Sequence, residues 1–293
     1  MIHAKNWPQV VSLVLVLALV LAGCAAPSGR SVAANASTGV LMAAAASSGE
    51  IVKELKAANE DLKIIDELIA DKDLGLLEEE SSSDTEEITE SEITLYMGIL
   101  DEYDKRLKQA LSDLKARQEL DNKDMAELRK AEIAQFLLAC DVVEEYMSVL
   151  HYMQALLDLA GQMDAIGNVS ATDPAGMYEE INQAIEKAVA KLKSSEVPSF
   201  LQSMNDNMIA SLNEMNDAVL YSLIAEEIND PVRRNGAAYR MGILERKFTK
   251  ITADANTDTE DRMKKLKQDV NTVQQVNEGL SKWVQANLDK LGN

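Results

Sequence analysis

Apolar residues recur at intervals of three and four along almost the whole of this chain, while the alternating runs that mark strands are nearly absent. That period winds apolar side chains onto one stripe of a helix, so the chain is predicted to be all-α, each helix hiding its stripe against others. Ile51, Leu55, Ala58, Leu62, Ile65 and Leu68 or Ile69 form the first seam, in a helix from Gly49 to about Lys72. A second seam passes through Leu95, Ile99, Tyr103, Leu107, Ala110, Leu111 and Leu114. A third, through Met125, Leu128, Ile133, Phe136, Leu137, Cys140, Val143, Met147, Leu150, Leu157 and Met163, predicts a helix of about forty residues and ~60 Å. Its middle, Ile133 to Leu159, is apolar on more than one face, which places it at the bundle centre.

Punctuation divides the rest. Asp173-Pro174 and Asp230-Pro231 each offer a side-chain cap followed by a residue with no amide hydrogen to leave unpaired, so each predicts a helix start. The helix after Pro174 carries Ile181, Ile185, Ala188 and Leu192 and stops before Pro198. The next runs from Pro198 through Met204, Met208, Leu212, Met215, Val219 and Leu223 to about Ile228. Asp124 with Glu127, and Thr257 with Glu260, have capping-box spacing and predict two further starts. Between Pro231 and the second of these lies a seam of Ala237, Met241, Leu244, Phe248 and Ile251. The last seam, Met263 to Leu291, is interrupted by Asn277 and Asn287, polar residues that can set register. The expectation is an elongated antiparallel bundle of about seven helices with coiled-coil-like seams over residues 49–293, with a subdivision near 166–176.

Two stretches lie outside that pattern. Glu78 to Glu92 holds eight acids in fifteen residues and reads as a solvated loop or fraying helix start. Ala25 to Ser48 is rich in Ala, Ser and Gly and reads as a tether, spanning roughly 25 to 30 Å as a flexible coil.

Ahead of the tether, Lys5 precedes an apolar run from Val10 to Leu19, the layout of an export signal and too short to span a bilayer comfortably. The run ends at Leu21-Ala22-Gly23-Cys24, which resembles the bacterial lipobox: an aliphatic residue, two small ones and a cysteine. The resemblance covers about the first 24 residues. It implies a lipoprotein precursor with a signal peptide over 1–23, cut before Cys24, and a diacylglyceryl thioether on that cysteine, with the new amino group often acylated as with palmitate. Residues 24–48 are then the lipidated cysteine and its tether. Residue 25 is Ala, so the Asp of the inner-membrane retention signal is missing. The implied address is the outer membrane in a source with two membranes, and otherwise the outer face of the cell membrane.

Removal of 23 residues from the 293 leaves 270, enough for one large domain or two small ones. The chain carries a net charge of -20, which disfavours nucleic acid and anionic lipid faces as partners. With Cys24 lipidated, Cys140 has no intrachain disulfide partner, and its apolar neighbours read it as a small core residue.

The residues of catalysis and metal binding are sparse. His151 is the only histidine beyond the signal, which excludes multi-histidine metal sites. Ser148 stands three before it and Gln154 three after, so neither a Glu-x-x-His pair nor the His-x-x-Glu element of imelysin-type iron-uptake lipoproteins is present. Met147 and His151 lie one turn apart, but such a pair on an apolar helix reads as core. The Asp71-Lys72-Asp73-Leu74-Gly75 stretch fails the calcium-loop pattern, having Gly at position five and Ser82 at position twelve. No phosphate loop, dinucleotide turn or nucleophile elbow occurs.

No cofactor and no catalytic residues are therefore assigned, and Cys24 is the single assigned site. The expected role is a non-catalytic helical lipoprotein of the cell envelope, held to the membrane through lipid on Cys24 and acting on another envelope or extracellular protein. The alternative is a lipoprotein holding a small ligand inside the bundle, suggested by the acidic balance and the methionines of the seams. An exposed apolar patch favours the first, an internal cavity the second.

Overall fold

The computed structural model describes residues 48–71, 90–167 and 173–291. The signal, the lipobox with Cys24, nearly all of the tether, and most of the acidic 78–92 run lie outside the described residues. The described chain is all-α: six α-helices, α1 (Ser48–Ala70), α2 (Glu90–Ala116), α3 (Lys123–Gly167), α4 (Pro174–Ser194), α5 (Gln202–Glu227) and α6 (Pro231–Leu291), with a 3-10 turn at Ser199–Leu201.

Both Asp-Pro starts are present. The Asp173 carboxylate accepts the Gly176 amide at 2.9 Å with Pro174 in the first turn, and Asp230 accepts the amides of Val232 (2.9 Å) and Arg233 (3.2 Å). Two expected starts differ. The cap of α3 is Asn122, whose side-chain oxygen accepts the Asp124 amide at 2.9 Å and the Met125 amide at 3.1 Å, so Asp124 sits inside the first turn. The Thr257–Glu260 spacing opens no helix, and α6 runs unbroken for 61 residues. Thr257 turns its hydroxyl back to the Ala253 carbonyl at 3.1 Å, a bond available only inside a continuous helix. Two predicted helices are therefore one.

The helices divide between two compact units, with α3 and α6 each contributing part to either and α2 giving its first four residues, 90–93, to the second. The first comprises the described residues within 25–81, 94–147 and 264–293. Its spine is α1, whose buried residues Ile51, Leu55, Ala58, Leu62, Ile65, Leu68 and Ile69 are the seam that the period predicts. Around Leu55 and Leu62, α1 meets Met125 and Leu128 of α3 and Val284 of α6, with Leu280 and Trp283 closing the edge. Burial of each such side chain contributes about 1.5–3 kcal/mol.

The polar intruders into the last seam have partners here. Asn277 donates to the Leu62 carbonyl (3.0 Å) and to Asp66 (2.6 Å), tying α6 to α1 at one register, and Asn287 donates to the Trp283 carbonyl at 2.8 Å. Gln135 of α3 likewise donates to the Val273 carbonyl of α6 at 2.6 Å. In α2 the buried side enters through Ile93 and Leu100, while Leu95 is exposed and Ile99 half-buried. The helix is turned from its predicted setting at that end, and agrees from Tyr103 onward.

The second unit contains the described residues within 148–263. Met204, Met208, Leu212, Met215, Val219 and Leu223 of α5 are all buried, as the spacing predicts. Tyr152 of α3 is fully buried, and its hydroxyl donates to Asn205 of α5 at 3.0 Å. Tyr152→Phe leaves the Asn205 oxygen without that donor at a site closed to water, and is expected to lower unfolding free energy by about 1–3 kcal/mol in urea titration. Hydrogen bonds and ion pairs rivet the neighbours, Asn216 to Asn182 (2.6 Å), Lys191 to Asp158 (2.6 Å) and Lys247 to Glu214 (2.7 Å).

Candidate interaction surface

The chain leaves α5 through a tight reversal. Asn229 adopts a left-handed conformation (φ 53°), which its short polar side chain tolerates, and the Asp230 amide reaches back to the Ala225 carbonyl at 3.0 Å. Asp230 then caps α6, Pro231 begins it, and an α5–α6 hairpin results.

The tip of this hairpin and the helix leading to it are unusually apolar on the outside. Leu220 and Ile224 of α5 and Ile228 at its C-cap step by four, one position round from the buried Val219 and Leu223, and all three are exposed. Val232 and Tyr239 follow on α6 at 77% and 68% exposure. Five of the seven large apolar side chains exposed among the described residues thus fall between 220 and 239, so the exposure is concentrated rather than scattered. Polar groups frame the tip. Arg233 pairs with Asp230 at 3.4 Å, Arg234 with Glu226 at 3.7 Å and with Asn229, and the Arg240 guanidinium lies 4.6 Å from the centre of the Tyr221 ring. Aliphatic and aromatic side chains within a rim of arginines are the usual makeup of a protein-contact patch.

Apolar period alone does not mark these residues as exposed, because it gives the face a residue lies on and not what covers that face. Leu220, Ile224 and Ile228 do form a second four-step series beside the buried one on α5, and a helix with two such series has one to spare.

Elsewhere the residues singled out from the sequence have structural roles. Cys140 is a free, buried thiol, and burial pushes it up to about 11, away from thiolate chemistry. His151 is exposed, contrary to its reading as a core histidine, because the buried side of α3 there is Tyr152, Met153, Ala155 and Leu156. Met147 is half-buried.

Among the described residues no group of three or more His, Cys, Asp and Glu side chains is placed to hold a metal ion, and no helix is long and apolar enough to cross a membrane. Two clefts among the described residues both belong to the second unit. One, of about 390 Å³, is lined by Phe200, Asp258, Asp261 and Arg262; the other, of about 260 Å³, is lined by Glu214, Asp217, Ala218, Arg240, Ile243 and Leu244. Both open on the surface, with three charged residues in the lining of each, unlike the enclosed apolar chamber that a small lipophilic ligand needs. Comparison of the chain with family models, with curated proteins and with solved structures returns no match.

Proposed function

We propose that the chain is the precursor of a membrane-anchored bacterial lipoprotein whose helical domain works by protein–protein contact, without catalysis, and that the α5–α6 tip is the contact surface. The exposed series Leu220, Ile224, Ile228, Val232 and Tyr239 carries this reading. Ordering that much apolar surface toward water is unfavourable unless a partner covers it, and the arginines at its edge supply orientation. The anchor half of the proposal rests on the Leu21-Ala22-Gly23-Cys24 lipobox and the export signal before it. Lipid on Cys24 confines the domain to a membrane surface of the cell envelope and so raises its effective concentration toward an envelope or extracellular protein.

Photo-crosslinking side chains placed at Val232 and Tyr239, with Leu137 as an exposed apolar control, test the contact in intact cells. A discrete protein adduct is expected from positions 232 and 239 and not from 137. Ile228→Glu with Val232→Glu is expected to reduce its yield about tenfold, the loss of roughly 1.4 kcal/mol of binding. No adduct at either tip position under several growth conditions, or the same adducts from the control, rejects the assignment of this surface.

A further inference from the structure

The first unit encloses an unpaired acidic side chain. Glu132 of α3 is completely buried, and neither carboxyl oxygen accepts a hydrogen bond. The charged groups around it come from every side of the packing. α1 supplies Glu54 and Asp61, the residue after α2 supplies Arg117, and α3 itself supplies Arg129, while the exposed Asp113 of α2 bears on Asp61. The antiparallel register set by Gln135 on Val273 brings Asn277 of α6 level with Glu132, its side-chain oxygen buried and without a donor. The charged residues of α6 near that level, Glu278 and Lys282, are exposed and paired with each other at 3.2 Å.

The charge count decides the state of this cluster. Arg129 pairs with Glu54 at 2.8 Å and Arg117 pairs with Asp61, two cations against two anions, both pairs mostly buried. A neutral Glu132 leaves the set balanced. An ionised Glu132 adds a third carboxylate with no third cation, in a place closed to water. Arg117 has one nitrogen, Nη1, still without a partner, and it can serve Glu132 only by dividing itself between Glu132 and Asp61.

We propose that Glu132 is a proton-operated latch: it is carried as the neutral acid in the closed unit, and its ionisation loosens the docking of α1 against α3 and the end of α2. Burial, then the Asp61 charge, raises its carboxyl from the ordinary 4.5 to about 8, in keeping with the count. The folded chain holds this proton more tightly than the unfolded chain does. Its stabilisation is therefore complete below about 4.5 and is lost as pH rises through about 8. α1 is the described helix closest in sequence to Cys24, so the latch acts on the helix through which the anchor and tether join the bundle.

The test compares the full chain with Glu132→Gln, an isostere that cannot ionise. Between pH 6 and pH 9.5 the thermal midpoint of the wild type is expected to fall by roughly 5–10 °C more than that of the variant. Over the same interval amide exchange in α1 is expected to accelerate at least about tenfold in the wild type alone. Parallel pH profiles for the two proteins overturn the latch, as does wild-type loosening spread evenly over all six helices. Should the variant fold poorly, infrared titration of the wild-type protonated-carboxyl band decides instead. A band surviving at pH 7 and lost near pH 8 supports the latch, and its absence at pH 6 overturns it.

Discussion

Arg129→Ala is expected to lower the unfolding free energy by about 3–5 kcal/mol, the largest effect of any single charged residue in the described structure. The Arg129 guanidinium makes three bonds at once, to Glu54 (2.8 Å), to the Arg117 carbonyl (3.0 Å) and to the Gln118 carbonyl (2.9 Å). The two carbonyls lie just beyond the end of α2, so Arg129 ties down the chain leaving α2 while it holds α1. Its removal strands Glu54 beside Asp61 and Glu132 with Arg117 as the sole remaining cation of the set. Urea titration near pH 6, where Glu132 is neutral, isolates this effect from ionisation of the latch. Arg129→Lys is expected to lose most of the same stability, because an ammonium cannot fork among three acceptors set apart in space. Glu54→Leu with Arg129→Met is expected to recover part of the loss, since no carboxylate is then left buried alone, while the α2 carbonyls still lack a donor. A single-variant loss below about 1 kcal/mol would put Arg129 among ordinary surface pairs and remove the charge balance on which the reading of Glu132 depends.

Neither residue announces itself locally. Lys130-Ala131-Glu132 reads as a solvated step between the seam residues Leu128 and Ile133, because the partners of Glu132 and Arg129 lie at 54, 61 and 117, outside α3. One local signal exists: Glu132 stands four after Leu128 and four before Phe136, both buried, and so occupies a seam position. Asn277 and Asn287 are detectable by the same reasoning, and there the polar seam residue does set register, through the Leu62 carbonyl.

The parts of the fold that depend on local chemistry are legible in the sequence. The α1 seam follows from its period alone, and the starts at Pro174 and Pro231 follow from a carboxylate cap and a missing amide hydrogen. The reading fails where two local cues compete. Thr257-Asp258-Thr259-Glu260 fits a capping box, yet Thr257 bonds to Ala253 and the helix continues, because the tertiary contacts of Ala255, Thr259 and Leu266 keep it buried through that stretch. It fails also where an outward face is apolar, as at Leu220, Ile224 and Ile228, since periodicity identifies a stripe and not what covers it. The outward turn of His151 has the same origin: a segment apolar on several faces does not reveal which residue is left over.

Cys24→Ala is expected to have the largest effect on where the protein resides, moving nearly all of it from the membrane fraction to the soluble exported fraction and abolishing incorporation of a palmitate analogue. One acyl chain gives only marginal attachment, with a partition constant of about 10⁴ M⁻¹, so a thioether-linked pair of chains, with or without a third on the amino group, separates stable from transient binding. Among the described residues no helix is able to cross a bilayer in place of that lipid. Retention of the Cys24→Ala protein on membranes then has two competing routes, an uncleaved signal over residues 1–23 and a grip by the α5–α6 tip on an anchored partner, and the Ile228→Glu, Val232→Glu pair tests the second. If the triple variant is soluble while Cys24→Ala alone is partly retained, both lipid and partner hold the domain in place. If the Cys24→Ala protein is labelled as the wild type is, the lipobox reading fails, while the tip, the charge cluster and their tests stand unaffected, because none of them depends on how the chain reaches the membrane.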